Sequence, residues 1–89
     1  MPTIDRVAGC RVFFYSKEDR EPPHVHVRSG NGVAKFWLVP VRLARARGLR
    51  HHELNWIRRI IEAREAKYLE AWNEHFADGP AGVEGVGDG

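Results

Sequence analysis

A single cysteine, Cys10, is all the thiol this chain of 89 residues contains. It can form no internal disulfide, and without a second cysteine it cannot found a zinc knuckle. As a small apolar residue in a strand, Cys10 reads as core. The opening Met1-Pro2-Thr3-Ile4-Asp5-Arg6 lacks the 7–15-residue apolar stretch of a secretion signal, and no run approaches the roughly 18 apolar residues of a membrane span. The expected location is the cytoplasm, with no membrane contact. A phosphate-cradling glycine loop is also missing, because the turn glycines Gly30 and Gly32 precede a strand and not a helix. No Gly-x-Ser-x-Gly elbow or Cys–His pair signals covalent catalysis. No cofactor is expected.

What is present describes an ordinary globular domain. With 43% apolar and 29% charged residues, the chain is neither disordered throughout nor built for lipid, and its length leaves room for one core. Charge is more informative when divided along the chain. All 14 Lys and Arg precede residue 78, against nine of the 12 acids, so the body carries a formal +5. Arg42, Arg45, Arg47 and Arg50, followed by His51 and His52, occupy eleven residues that hold no acid. Such a patch can neutralise phosphates, meet an acidic protein, or be plainly solvated. Residues 78–89 hold five of the nine glycines and nothing large enough to anchor a core. They are expected to be a disordered tail after a single domain spanning 1–77.

Three apolar segments between residues 10 and 41, separated by turn-rich stretches, predict consecutive antiparallel strands. The first, Arg11 to Ser16, is apolar on both faces and should lie inside the sheet. The second is Val25 to Arg28 and the third Val33 to Val39, where Pro40 should end the ladder. Ser29-Gly30-Asn31-Gly32 joins the last two as a tight hairpin, with Asn-Gly pointing to a type I′ turn. Alternation puts Val25, Val27, Ala34, Phe36 and Leu38 on one face, and His24, His26, Arg28, Lys35 and Trp37 on the other. From about His52 to Ala77, Leu54, Ile57, Ile61, Tyr68, Leu69, Trp72 and Phe76 recur at helical spacing. They predict one helix nearly 40 Å long, with Arg58, Arg59, Glu62, Glu65, Lys67 and Glu70 solvated. The expected fold is α+β, an antiparallel meander of three strands, with a short fourth near Leu43, packed on one long C-terminal helix. Tyr15, Tyr68 and Trp72 read as core. Trp56 and Ile60 fall off the apolar stripe and suggest a surface covered by a partner or a second copy.

Glu21-Pro22-Pro23-His24-Val25-His26-Val27 is the most distinctive segment. Two prolines make a rigid extended lead-in, and period-two spacing sends both imidazoles to one side, about 7 Å apart. Three kinds of chemistry fit. Zinc would need further ligands from His51, His52, His75, Asp19 or Glu21. A metal-independent ribonuclease would use His24 and His26 as general base and acid, with Arg28 and Lys35 stabilising the phosphorane. The plainest reading is that the rings stack on Trp37, bond locally, or contact a binding partner.

Phe13-Phe14-Tyr15-Ser16, the Pro-Pro-His-x-His segment, Ala34-Lys35-Phe36-Trp37-Leu38 and Ala71-Trp72-Asn73-Glu74-His75-Phe76 together resemble the bacterial and phage family called domain of unknown function 4160, over about residues 1–77. Its motif falls on Pro22, Pro23, His24, His26, Lys35 and Trp37. The resemblance implies a compact sheet-plus-helix domain, often encoded beside a second small protein in arrangements similar to toxin–antitoxin pairs, and gives none of these residues a role. The function expected is a binding module of such a pair. Nucleic acid or a small acidic partner would be contacted through His24, His26, Arg28, Lys35 and Trp37 together with Arg42, Arg45, Arg47 and Arg50, without metal. The ribonuclease is the alternative.

Overall fold

A computed structural model describes residues 3–15 and 20–77. The expected disorder of residues 78–89, Ser16 at the end of the first segment, and Asp19 as a metal ligand all lie outside the described residues. Five strands follow in order: β1 (Thr3–Val7), β2 (Cys10–Phe13), β3 (His24–Ser29), β4 (Gly32–Leu38) and β5 (Val41–Arg47). Each pairs antiparallel with its neighbour in sequence. Two helices, α1 (His51–Ala63) and α2 (Glu65–Ala77), complete the α+β fold.

The meander thus has five strands where three or four were expected. β1 was missed because it is short and carries Asp5 and Arg6 in its middle. β5 runs over seven residues, well beyond a short strand near Leu43. β2 lies between β1 and β3, so it is an interior strand, as its two apolar faces require. β4 ends at Leu38, and Val39 and Pro40, joined by a cis peptide, turn the chain into β5. In the β3–β4 hairpin Ser29 faces Gly32, which leaves Gly30-Asn31 as the turn. Only Gly30, at φ +59, has left-handed backbone there. That is the pattern of a type II′ turn and corrects the type I′ expectation. The type I′ pattern belongs to the β1–β2 turn, where Ala8 (φ +51) and Gly9 (φ +80) are both positive. Gly32 is required for a different reason: a Cβ there would lie 2.6 Å from the carbonyl oxygen of Gly48 and run into Leu49.

The core joins one sheet face to the helices. Val12, Phe14, Val25, Val27, Phe36 and Leu38 meet Ile57 and Ile61 of α1 and Tyr68 and Trp72 of α2, with Cys10 and Ala34 filling the gaps. Burying each of the larger side chains contributes about 1.5–3 kcal/mol. The single long helix is corrected to two of 13 residues, each about 20 Å long. The break is at Arg64, which leaves helical geometry (φ −118, ψ +18) and whose N–H donates to the Ile61 carbonyl at 3.1 Å. A straight rod cannot follow a sheet that rotates by roughly 20–25° per strand. The break also places Arg64 and Tyr68 over Asp5 of β1. The Arg64 guanidinium lies 3.2 Å from Asp5 Oδ2, the Tyr68 hydroxyl donates to the same oxygen at 2.8 Å, and the Lys67 ammonium is 3.5 Å from Oδ1. At the start of α1, with no Ser, Thr or Asp available, the Glu53 carboxylate accepts the Arg50 backbone N–H at 2.8 Å. Trp56 is exposed and Ile60 half-buried.

Candidate functional site

The helices leave most of the second sheet face uncovered, and residues directly opposite one another on paired strands share a face. Three rows therefore cross it. Arg6 faces Arg11, Arg11 faces Arg28, Arg28 faces Val33, and Val33 faces Arg47. Next along the strands, Phe13 faces His26, His26 faces Lys35, and Lys35 faces Arg45. In the third row His24 faces Trp37, and Trp37 faces Arg42. An irregularity in β5 beside Lys35 and Phe36 keeps Arg42 and Arg45 on the same face although they are three residues apart.

The face divides into a sealed part and an open part. His24 is fully buried. Its Nδ1–H donates to the Pro22 carbonyl at 2.9 Å, and its ring packs against His26 at 5.1 Å, Trp72 at 4.9 Å and Trp37 at 5.6 Å between centroids. The Pro23 carbonyl accepts the Leu38 N–H at 3.0 Å and so extends the β3–β4 ladder. Both prolines thus lend their carbonyls to hold the start of β3, and His24 serves packing. His26 is 7% exposed, stacked on Phe13 at 5.5 Å and met edge-on by Tyr15 at 4.6 Å. Lys35 is equally buried. Its ammonium bonds the Glu21 carboxylate and lies 4.7 Å from the Trp37 ring, so its charge is largely used within the fold.

The open part is cationic. Arg28, Arg42, Arg45 and Arg47 are exposed, whereas Arg50 lies beyond β5 at the cap of α1. Among the described residues no carboxylate pairs with the side chains of Arg6, Arg11, Arg28, Arg42, Arg45 or Arg47. An open concavity of about 420 Å³ lies among Phe13, Tyr15, His26, Arg28, Lys35, Arg45 and Arg47. Tyr15, expected in the core, is 48% exposed at its rim, just past the end of β2. Sequence reasoning missed Arg6, Arg11 and Tyr15 as members of this face. The alternation that sorted β3 also sorts β2 once its end is placed at the Ala8-Gly9 turn. Among the described residues no three of His, Cys, Asp and Glu gather as a metal site, and no helix is long and apolar enough to cross a membrane.

Fold and face together define a small α+β domain with one helix-covered sheet surface and one arginine-rich surface. The family model described as domain of unknown function (DUF4160) matches residues 9–73. The chain belongs to that family. No curated protein and no solved structure matches it.

Proposed function

We propose that the protein is a small binding module that contacts nucleic acid through the uncovered sheet face. The observation that carries this reading is the set of exposed guanidinium groups on β3 and β5, without carboxylate partners among the described residues, around a concavity rimmed by an exposed tyrosine. Cations left unpaired by the fold attract phosphates, and binding then weakens steeply as salt rises. Of the nine residues expected to form the site, Arg28, Arg42, Arg45 and Arg47 supply that surface. His26, Lys35 and Trp37 support its floor, and His24 and Arg50 stand apart. Membership of a toxin–antitoxin-like pair rests on the family resemblance, and an acidic protein partner would compete for the same arginines.

Ribonuclease chemistry gains nothing from this arrangement. The acid–base pair expected of His24 and His26 would need both imidazoles at the phosphodiester, and the His24 ring is buried with its Nδ1–H held by Pro22. Fluorescence anisotropy with labelled RNA and DNA at 50 and 200 mM salt tests the binding reading. Affinity should fall about twenty- to fiftyfold between the two for single strands and about forty- to 150-fold for duplex DNA, as expected for three or four neutralised phosphates. No binding at the lower salt, with capture of an acidic protein instead, would overturn it.

A further inference from the structure

Arg6, Arg11 and Arg28 stand directly opposite one another on three consecutive strands, and the row ends on Arg47 of β5. Like charges set opposite each other destabilise an antiparallel pair, and here the unfavourable placement occurs twice in succession. Arg11 is further constrained. Its guanidinium lies 4.7 Å from the Phe13 ring centroid, and its Nε is buried with no hydrogen-bond partner among the described residues. A buried donor left unpaired costs about 1–3 kcal/mol. Four inter-strand steps of about 4.8 Å carry the row across roughly 19 Å of sheet.

A second concavity, of about 440 Å³, shares Arg28 with the first. It is lined by Arg6, Arg11 and Arg28 and by small and apolar residues at the two hairpin turns, Val7, Ala8 and Gly30 among them. Arg28 borders both hollows, so one offers cations with no aromatic ring and the other cations beside the rings of Tyr15, His26 and Phe13. That alternation matches the chemistry of a nucleotide chain, with phosphate on one side and a flat π-surface on the other.

We infer that a single-stranded polynucleotide crosses the sheet perpendicular to its strands, with phosphates along the arginine row and bases in the hollow beside Tyr15. The inference rests on the nucleic-acid reading above and adds the pairing state and the path. Bases of a duplex are stacked on their neighbours and cannot reach Tyr15, whereas an unstacked base can lie against it, as on other sheet platforms. The cations supply affinity for the backbone and the ring supplies preference for single strands. The footprint is a few nucleotides.

Short labelled single strands of RNA and of DNA, compared with hairpin duplexes of the same composition, test this by anisotropy over a salt series. A single strand of one or both kinds should bind at least about tenfold more tightly than its duplex. Arg6→Gln, at an exposed position on the edge strand, should lower the single-strand salt slope by about 0.7. Tyr15→Leu should weaken single-strand binding about fivefold or more without changing that slope, and Tyr15→Phe should restore it. Thermal melts confirm that each variant is folded. Duplex binding as tight as single-strand binding, or no effect of Arg6→Gln, overturns the inference and leaves the nucleic-acid reading standing. No binding to any probe removes both.

Discussion

The two faces of this sheet bury side chains by different means. On one, aliphatic and aromatic residues at alternate positions lie under two helices, and Val25, Val27, Phe36 and Leu38 have almost no exposed surface. On the other, most of which the helices leave uncovered, His24, His26 and Lys35 are nearly as deeply buried. Their cover comes from cross-strand neighbours and, for His24, from α2. Phe13, Tyr15, Trp37 and the Trp72 ring reaching round from α2 form a layer of rings around the imidazoles. Residues that composition counts as polar therefore behave as a second, smaller core, and the arginines without carboxylate partners among the described residues lie on β5 and in the row through Arg28.

The sharpest way to break this comparison is to cut a ring from each face. Phe36→Ala, under the helices, should cost about 3–5 kcal/mol in urea unfolding. If the ring layer is a genuine core, His24→Ala should cost about 2–4 kcal/mol, since it opens a cavity and leaves the Pro22 carbonyl without its donor. A cost for His24→Ala below about 1 kcal/mol would show that this face contributes no core and that the imidazole is kept for something else.

A smaller effect concerns how the edge strand is fastened. Burial raises the Asp5 carboxyl, but the Tyr68 hydroxyl, Lys67, the Arg6 N–H and Arg64 together outweigh it, and the net shift is downward from 3.8. A carboxyl with a lowered folded pKa contributes stability that is present above its unfolded value and lost as pH falls through the folded one. Unfolding midpoints should therefore drop as pH is lowered through and below about 3.8, and Asp5→Asn should flatten that decline. At neutral pH Asp5→Asn should cost about 1.5–3 kcal/mol, typical of hydrogen bonds to a charged group. The Tyr68 hydroxyl is raised from 10.0 by burial first and by Asp5. Its contribution is intact below pH 10 and is lost as pH rises beyond it. An unchanged acid limb in Asp5→Asn would mean that β1 is held by its hairpin alone.

Strand alternation alone sorted Val25, Val27, Ala34, Phe36 and Leu38 from His24, His26, Arg28, Lys35 and Trp37, because that sorting is a local property of the pleat. What alternation cannot give is burial, which depends on rings arriving from elsewhere: Trp72 seals His24 from nearly fifty residues away. β1 was illegible for a related reason. Its Asp5 faces the helices and reads as a loop residue until Arg64 and Tyr68 are known to meet it. The helix break has no Gly or Pro to announce it, since it answers to sheet twist and to Asp5. Tyr15 looked like core because the end of β2 at Phe13 was not visible in an unbroken aromatic run.

The two tight turns give the smallest test, and it bears on the same edge. Gly30 takes the left-handed position of the β3–β4 turn, where it costs little. Ala8 holds a comparable φ of +51 in the β1–β2 turn, although its Cβ makes that region unfavourable by roughly 1–2 kcal/mol. Asn tolerates positive φ better than Ala and is the preferred first central residue of a type I′ turn. Ala8→Asn should therefore stabilise the domain by about 0.5–1 kcal/mol, with a higher urea midpoint and an unchanged slope. Because Ala8 lines the hollow beside Arg6 and Arg11, the same variant reports on the uncovered face. A stiffer hairpin holds Arg6 in the row, so stability should rise with no loss of salt-dependent binding. Stabilisation accompanied by weaker binding would mean that the strained alanine is retained for the surface and not for the fold.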